Sequence, residues 1–145
     1  MIQHIMVHSV LQQAVAGFYA DLVTRPTGRA VRENIERDLP LGGGTIAVMD
    51  FTGVGCLDYS CADEIVAKLV RDKVQVLLLR GLTDAHREAI EPVLAGAGLA
   101  ALCAGADGIL EGLGARGPAP ALLEELVARR LAARSPGGAI TLTAA

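Results

Sequence analysis

The residues that could do chemistry are concentrated between a predicted strand and a predicted helix. Residues 45–51 form an apolar run typical of a buried strand, and a helix is predicted to begin at Ser60. In open α/β folds, ligands and partners usually meet the protein at the carboxyl edge of the sheet, where such a connection lies. We therefore expect four residues of the connection to bind a partner or to accept a phosphate: Asp58, Tyr59, Ser60 and Cys61. Five neighbouring residues are expected to support this turn: Asp50, Thr52, Gly53, Asp63 and Glu64.

Ser60 has two interpretations. Its hydroxyl could cap the helix by accepting a hydrogen bond from the backbone N–H of Asp63, and an acidic Asp63 suits the first helical turn. Alternatively, a phosphate on this turn would lie at a helix N-terminus, which favours anions. Asp63 and Glu64 oppose the second interpretation, because their negative charges would repel a phosphate. The sequence leaves both interpretations open.

The cysteines and histidines do not assemble into a recognisable catalytic or metal-binding pattern. Cys61 is predicted at the first helical position, where a thiol can be activated, but a buried cysteine acting as a small apolar residue is more common. Cys56 and Cys61 do not match a zinc ligand pair, and no second pair or nearby histidine completes a site, so no metal is expected. The three histidines (His4, His8 and His86) are expected at the surface or at strand edges. No nucleotide-binding motif accompanies the glycine runs, so we expect neither a cofactor nor an enzyme.

Composition indicates one cytoplasmic domain. The 145 residues fit a single domain, residues 1–145, and 52% hydrophobic with only 3% aromatic residues is typical of an aliphatic core. The apolar runs are far shorter than the ~20 residues of a membrane-spanning helix, and the N-terminus lacks a signal-peptide pattern. Three cysteines cannot all pair and fit a reducing compartment. The net charge of −3, without a large basic cluster, gives no reason to expect nucleic-acid binding.

Strands and helices are predicted to alternate along the chain. The predicted strands are residues 3–10, 45–51, 74–80, 99–103 and 139–143. The predicted helices are residues 11–22, 29–39, 60–72, 84–94 and 118–134, with a turn at 25–28 and a glycine-rich loop at 105–117. Thr83 or Asp84 is expected to cap the helix at 84–94, and Pro92 to kink or end it. This alternation predicts an α/β fold, an open and mostly parallel sheet of four or five strands with helices packed on it.

Two stretches, residues 24–36 and a second with two parts between residues 48 and 64, resemble the STAS-like family of bacterial regulatory domains, relatives of the anti-sigma factor antagonists. Residues 24–36, Thr-Arg-Pro-Thr-Gly-Arg-Ala-Val-Arg-Glu-Asn-Ile-Glu, resemble the family's Gly-Arg-x-Ile-Arg helix. Residues 48–54, Val-Met-Asp-Phe-Thr-Gly-Val, resemble its Asp-Phe-Ser-Gly-Val strand. Residues 58–64, Asp-Tyr-Ser-Cys-Ala-Asp-Glu, resemble its Ser-Phe-Ala-Asp-Glu helix start, and the spacing between the parts is kept.

The resemblance implies a STAS-like fold and an interaction module for signal transduction rather than an enzyme. In classical members of the family, an Asp-Ser-Ser-Gly turn is docked and phosphorylated by an ATPase-type serine kinase that is itself an anti-sigma factor. Carried over by position, the turn is Asp58-Tyr59-Ser60-Cys61, with Tyr59 in place of the phosphorylated serine and Cys61 in place of the glycine. The expected partner is therefore such a kinase or anti-sigma factor, and Tyr59 is expected to be the exposed anchor.

Other hypotheses use the same region of the chain. A nucleotide or a lipid could bind between the Asp58 turn and the loops at residues 81–84 and 105–108, which would make the protein a small-ligand sensor. An enzyme could use Cys61 as its nucleophile. A homodimer could form if the strand at residues 139–143 joined the sheet of a neighbouring copy.

Overall fold

The computed structural model describes residues 2–15, 20–39, 45–74, 76–104, 109–114, 120–130, 132–134, 136–138 and 140–142. The strands are β1 Ile2–Met6, β2 Ile46–Asp50, β3 Val76–Arg80, β4 Ala100–Ala104, β5 Leu110–Gly114, β6 Ala132–Arg134 and β7 Ile140–Leu142. The helices are α1 Val7–Ala14, α2 Arg25–Asp38, α3 Tyr59–Ala62, α4 Lys68–Asp72, α5 Asp84–Gly96 and α6 Pro120–Ala128. A π-helical turn, Asp63–Ala67, joins α3 to α4 without a break. None of the helices in the described ranges is long and apolar enough to cross a membrane.

Five strands form one sheet in the order β1-β2-β3-β4-β5. The strands β1 to β4 are parallel, and β5 runs antiparallel to β4 at the edge. The predicted α/β fold, with an open and mostly parallel sheet of four or five strands, is therefore confirmed. The pairing register aligns Met6 with Asp50 and Asp50 with Arg80, so that the last residues of three strands lie in one row at the carboxyl edge.

Apolar side chains cover both faces of the sheet. Ala47, Met49, Leu77 and Leu79 belong to a core cluster that also contains buried residues of α1 to α5. The alternate positions, Ile46, Val48, Val76 and Leu78, belong to a second cluster with Leu126 of α6 and Ala132 of β6. Because successive strand residues point to opposite faces, burial on both sides explains why these strands are almost continuously apolar in sequence.

The N-terminal third departs from the sequence prediction. The strand predicted at residues 3–10 ends at Met6, and Val7 begins α1, because Val7 and Leu11 are buried on one helical face. Leu22, predicted at the end of a helix, instead forms an isolated parallel bridge with Leu57. The turn predicted at residues 25–28 is the first turn of α2, which Thr24 caps and in which Pro26 is tolerated.

The C-terminal third also departs from the prediction. The loop predicted at residues 105–117 contains β5, since pairing with β4 buries Leu110 on one face and Leu113 on the other. The helix predicted at residues 118–134 ends at Ala128, and residues 132–134 form β6. The strand predicted at residues 139–143 is β7, which pairs with β6 in a separate two-stranded sheet and forms one further antiparallel bridge, from Thr141 to Ile109. A homodimer through that strand stays a prediction.

Two predictions about helix ends can also be resolved. Thr83 caps α5, as one of the two predicted alternatives. Pro92 does not end α5, which continues to Gly96, and Pro92 lies on an exposed side of the helix where water can reach the backbone. The glycine run at residues 42–44 lies outside the described part of the structure.

Helix α2 packs closely against α3 at Gly28. A Cβ atom added there would lie 3.0 Å from the Cα of Cys61 and 3.1 Å from its Sγ. We expect Gly28→Ala to lower the free energy of unfolding by about 1–2 kcal/mol, because overpacking costs about 1–3 kcal/mol whereas alanine gains at most about 1 kcal/mol in a helix. Urea denaturation measures the change.

The matched control is Gly96→Ala at the end of α5. A Cβ atom at this position would meet no heavy atom within 4 Å. We expect this variant to unfold at the same urea concentration as the parent or slightly above it. Equal stabilisation by both substitutions would contradict the close approach of α2 to α3.

Candidate functional site

The turn that leads into α3 is organised by Asp58. Its Oδ1 atom accepts hydrogen bonds from the Cys61 backbone N–H at 3.1 Å and from the Ser60 hydroxyl at 2.6 Å. Of the two interpretations of Ser60, the one in which it caps this helix is therefore wrong: Asp58 is the cap, Ser60 donates a hydrogen bond to Asp58, and the helix begins at Tyr59. The hydrogen bond from Ser60 lowers the pKa of Asp58, and the backbone N–H of Cys61 contributes in the same direction against partial burial.

The chain before α2 holds this turn from the other side. The Gly55 N–H donates to the Ala20 carbonyl at 2.7 Å, and the Leu22 N–H donates to the Cys56 carbonyl at 2.8 Å. The Asp58 N–H then donates to the Leu22 carbonyl at 2.9 Å. These parallel contacts make the connection between β2 and α3 a paired segment rather than a free loop.

Two apolar side chains are exposed beside this paired segment. Tyr59 is 62% exposed at the first position of α3, and Val23, which follows the paired Leu22, is 51% exposed. We call these two side chains the Tyr59 surface. Because Leu22 bridges Leu57, Val23 and Tyr59 lie on adjacent stretches of chain. The structure thus places the predicted anchor in solvent and supplies a second apolar residue that the sequence did not single out.

Glu64 has an environment that the sequence did not predict. Its side chain is 0% exposed, and its carboxylate accepts hydrogen bonds from Arg25, Arg32 and Lys68, each at 2.9 Å. The Arg29 Nε atom lies 4.0 Å from the same carboxylate. The spacing of Arg25, Arg29 and Arg32 could have indicated a binding face for a carboxylate, since residues three and four apart share a helix face.

The charge of Glu64 is therefore stabilised inside the protein. Burial raises the pKa of its carboxyl group, but the hydrogen bonds from Lys68, Arg32 and Arg25 outweigh burial and lower the pKa to about 2. Asp63 also accepts a hydrogen bond from Arg25, at 2.8 Å. Asp63 and Glu64, whose charges the sequence analysis expected to repel a phosphate, are thus both paired with cations.

The supporting residues at the sheet edge are engaged with neighbouring chain atoms. Asp50 Oδ1 accepts from the Thr52 N–H at 2.8 Å, and Asp50 Oδ2 lies 3.5 Å from the Nε atom of Arg80. Gly81 has a φ of +68°, and a Cβ atom there would meet Thr52 Oγ1 at 2.5 Å. Gly53 has a φ of +89°, and a Cβ atom there would lie 2.7 Å from the Nδ1 atom of His8. The small-ligand hypothesis stays a prediction, since residues 105–108, which it also requires, lie outside the described ranges.

Cys61 is a buried thiol. It is the third residue of α3 rather than the first helical residue that the sequence predicted, and its Sγ donates to the Thr24 carbonyl at 3.1 Å. Burial, with a smaller contribution from the Asp58 charge, raises the pKa of Cys61 to about 11. The thiol is therefore protonated at neutral pH, the form that does not attack electrophiles. Within the described ranges, no group of three or more potential ligands could hold a metal ion.

His86 was predicted at the surface or at a strand edge, and this prediction is wrong, because His86 lies buried on α5. The side chain is 1% exposed, and its Nε2 atom lies 2.7 Å from the Gly55 carbonyl oxygen in the connection that precedes Asp58. Its Nδ1 atom accepts a hydrogen bond from the Thr83 N–H at 3.1 Å. Thr83 and His86 form a reciprocal capping box, a pattern that the Thr-x-x-His spacing could have suggested.

Replacing Glu64 tests the buried charge cluster. We expect Glu64→Gln to lower the free energy of unfolding at neutral pH by about 3 kcal/mol, the equivalent of lowering a pKa from 4.5 to about 2. A carboxyl group whose pKa is lowered by folding stabilises the protein fully above pH 4.5, and this contribution is lost as the pH falls toward 2. Urea denaturation at neutral pH and near pH 3 measures both effects.

The control for this substitution is Glu33→Gln, an exposed carboxylate on α2. We expect it to change stability by less than about 0.5 kcal/mol. If Glu64→Gln left the unfolding midpoint at neutral pH unchanged, or if the variant lost stability in acid as steeply as the parent, the cluster would not stabilise the fold.

The reactivity of the three thiols tests the burial of Cys61. Cys56 is exposed, whereas Cys61 and Cys103 are buried. We expect iodoacetamide at neutral pH to modify only Cys56 in the folded protein, and Cys56→Ser to abolish this labelling, as measured by intact-protein mass spectrometry. All three thiols should react in urea. Rapid labelling of Cys61 in the folded protein would refute its assignment as an inert packing residue.

Comparison with known proteins gives no relative from which a role could be transferred. No protein-family model matches the chain, and no curated protein or solved structure matches it. The function therefore has to be argued from the geometry of the turn and from the residues around it.

Proposed function

We propose that the protein is a non-catalytic regulatory domain that docks a protein partner through the turn Asp58–Glu64 and the Tyr59 surface. The observation that carries the proposal is the 62% exposure of Tyr59 at the start of a helix whose cap and preceding chain are held by hydrogen bonds. Tyrosine is enriched among the residues that dominate binding energy at protein interfaces, because it combines a large apolar ring with a polar tip.

The rigidity of the turn favours binding. Ordering a flexible loop at an interface costs conformational entropy, and a turn that is already paired avoids much of that cost. Here the Asp58 side chain fixes the first turn of α3, and the Leu22 backbone pairs with Cys56 and Asp58. The backbone that carries Tyr59 is therefore held in place, and Val23 is a second exposed apolar residue on the adjacent stretch of chain.

The resemblance to STAS-like domains gives the proposed partner. The two stretches that carry the resemblance meet in space, since Arg25 and Arg32 from the first contact Glu64 from the second. This contact supports treating the stretches as one unit. We therefore propose a STAS-like domain acting in the bacterial cytoplasm, with an ATPase-type serine kinase or an anti-sigma factor as its partner.

The state of Cys61 supports a non-catalytic role. An enzyme that used this residue as a nucleophile would need an accessible thiolate or an adjacent base. The side chain is buried, its pKa is raised to about 11, and its hydrogen bond goes to a backbone carbonyl. These features fit a residue that packs α2 against α3.

Replacing Tyr59 tests the docking surface. The probe is a purified bacterial ATPase-type serine kinase of the anti-sigma-factor class, with affinity measured by calorimetry. We expect Tyr59→Ala to weaken binding at least tenfold, since truncation of an interface hot spot typically costs about 2 kcal/mol or more. The melting temperature should change little, because an exposed side chain contributes little to folding.

The matched control is Met6→Ala. Met6 is also an exposed apolar residue, at 48%, but it follows the inward-pointing Ile5 and therefore faces the opposite side of the sheet from α3. We expect this variant to bind like the parent. Full affinity of the Tyr59→Ala variant, or no measurable binding of the parent protein to such kinases, would overturn the proposed function.

A further inference from the structure

We infer that His86 is a positioning residue for the docking turn. The inference rests on the proposed function, because it treats the connection between β2 and α3 as the support of a binding surface. His86 lies on α5, a different helix from the one that carries Tyr59, yet its ring reaches the Gly55 carbonyl oxygen three residues before Asp58. It is thereby a direct link between α5 and the turn.

The hydrogen bonds of His86 select one tautomer. Nδ1 accepts from the Thr83 N–H at 3.1 Å, so this nitrogen carries no proton in the neutral ring. The proton is consequently on Nε2, which donates to the Gly55 carbonyl at 2.7 Å. Both ring nitrogens are used, and the ring is 1% exposed with Phe51 packed against it at a centroid distance of 5.7 Å.

Gly55 lies at a junction of contacts. Its N–H donates to the Ala20 carbonyl while its own carbonyl accepts from His86, so the peptide units on both sides of Gly55 are held. The next residue, Cys56, donates its N–H to the Asp21 side chain at 2.8 Å and accepts from the Leu22 N–H. Gly55 and Cys56 are themselves exposed, so the connection is held by these hydrogen bonds rather than by burial. Removing the His86 donor takes away its link to α5, which favours local opening of the connection.

Two substitutions separate the roles of the two ring nitrogens. In His86→Asn, the side-chain oxygen can take the place of Nδ1 and keep the bond from Thr83, but the donor to Gly55 is lost. In His86→Gln, the longer side chain can place an N–H₂ group near the Nε2 position and keep the donor to Gly55, but the acceptor for Thr83 is lost. The pair therefore distinguishes support of the turn from capping of α5.

The first measurement is amide hydrogen exchange, residue by residue. We expect His86→Asn to speed exchange at Leu22, Gly55 and Asp58 at least tenfold relative to Leu78 in the sheet core, and His86→Gln to leave this ratio near that of the parent. Equal acceleration at all four amides in both variants would reduce His86 to a general stability role and overturn the inference.

The second measurement uses the unmodified protein and does not depend on whether a variant folds. Long-range nitrogen–proton correlation spectra of the imidazole rings identify the tautomer of His86. We expect the Nε2–H tautomer at neutral pH. Observation of the Nδ1–H tautomer would contradict donation to Gly55 and would overturn the inference.

Binding to the same purified kinase separates this inference from the proposed function. We expect His86→Asn to bind at least tenfold more weakly and His86→Gln to bind within about twofold of the parent. If exchange shows that His86→Asn opens the turn but kinase affinity does not fall, the docking function fails while the contact stands. If exchange at the turn does not change, the positioning role fails whatever the kinase affinity is.

Discussion

The buried carboxylate of Glu64 determines how the first half of the chain assembles. A charge in the protein interior is tolerated only when its partners surround it, and removal of one partner from a buried ion pair typically costs about 3–5 kcal/mol. The partners of Glu64 come from two elements, Arg25 and Arg32 from α2 and Lys68 from α4. These contacts therefore fix α2 against the helix formed by residues 59–72, which apolar packing alone would position less specifically.

This constraint extends to the turn because α2 brings the preceding chain with it. Thr24 caps α2, and its carbonyl accepts from the Cys61 thiol at 3.1 Å. Two residues earlier, Leu22 pairs with the backbone on both sides of Leu57. The close approach at Gly28 requires a residue without a side chain, so Gly28 and Cys61 are matched in size across the helix contact. The packing of α2 thus determines where the backbone of Tyr59 lies, although the Tyr59 side chain is itself largely exposed.

The elements that sequence reasoning predicted are those whose signal is local. The apolar runs that became β2 and β3 and the amphipathic pattern of α2 follow from burial on a sheet face or a helix face, and each was found within a few residues of its true bounds. Glu64 was expected to support the turn, but its burial was missed because a glutamate is normally exposed, and only the approach of three arginines from another helix reverses that expectation. Asp58 and Ser60 are both good caps two residues apart, and the choice between them depends on backbone geometry that their spacing does not encode. The strand β5 was missed for a related reason, since its glycine-rich sequence is held extended by pairing with β4.

Ser60 and Tyr59 have different roles: the Ser60 hydroxyl stabilises the turn, and the Tyr59 side chain is exposed to solvent. The Ser60 hydroxyl donates to Asp58, and the same bond lowers the pKa of Asp58, so the carboxylate is ionised at neutral pH. A phosphate on Ser60 would remove that donor and place negative charge beside the carboxylate, and the repulsion would disrupt the cap of α3. A phosphate on Tyr59 would point into solvent and leave the cap intact. The tyrosine at this position is therefore the residue that a partner or a modifying enzyme can reach without unfolding the turn, while Ser60 is committed to the internal structure of the turn.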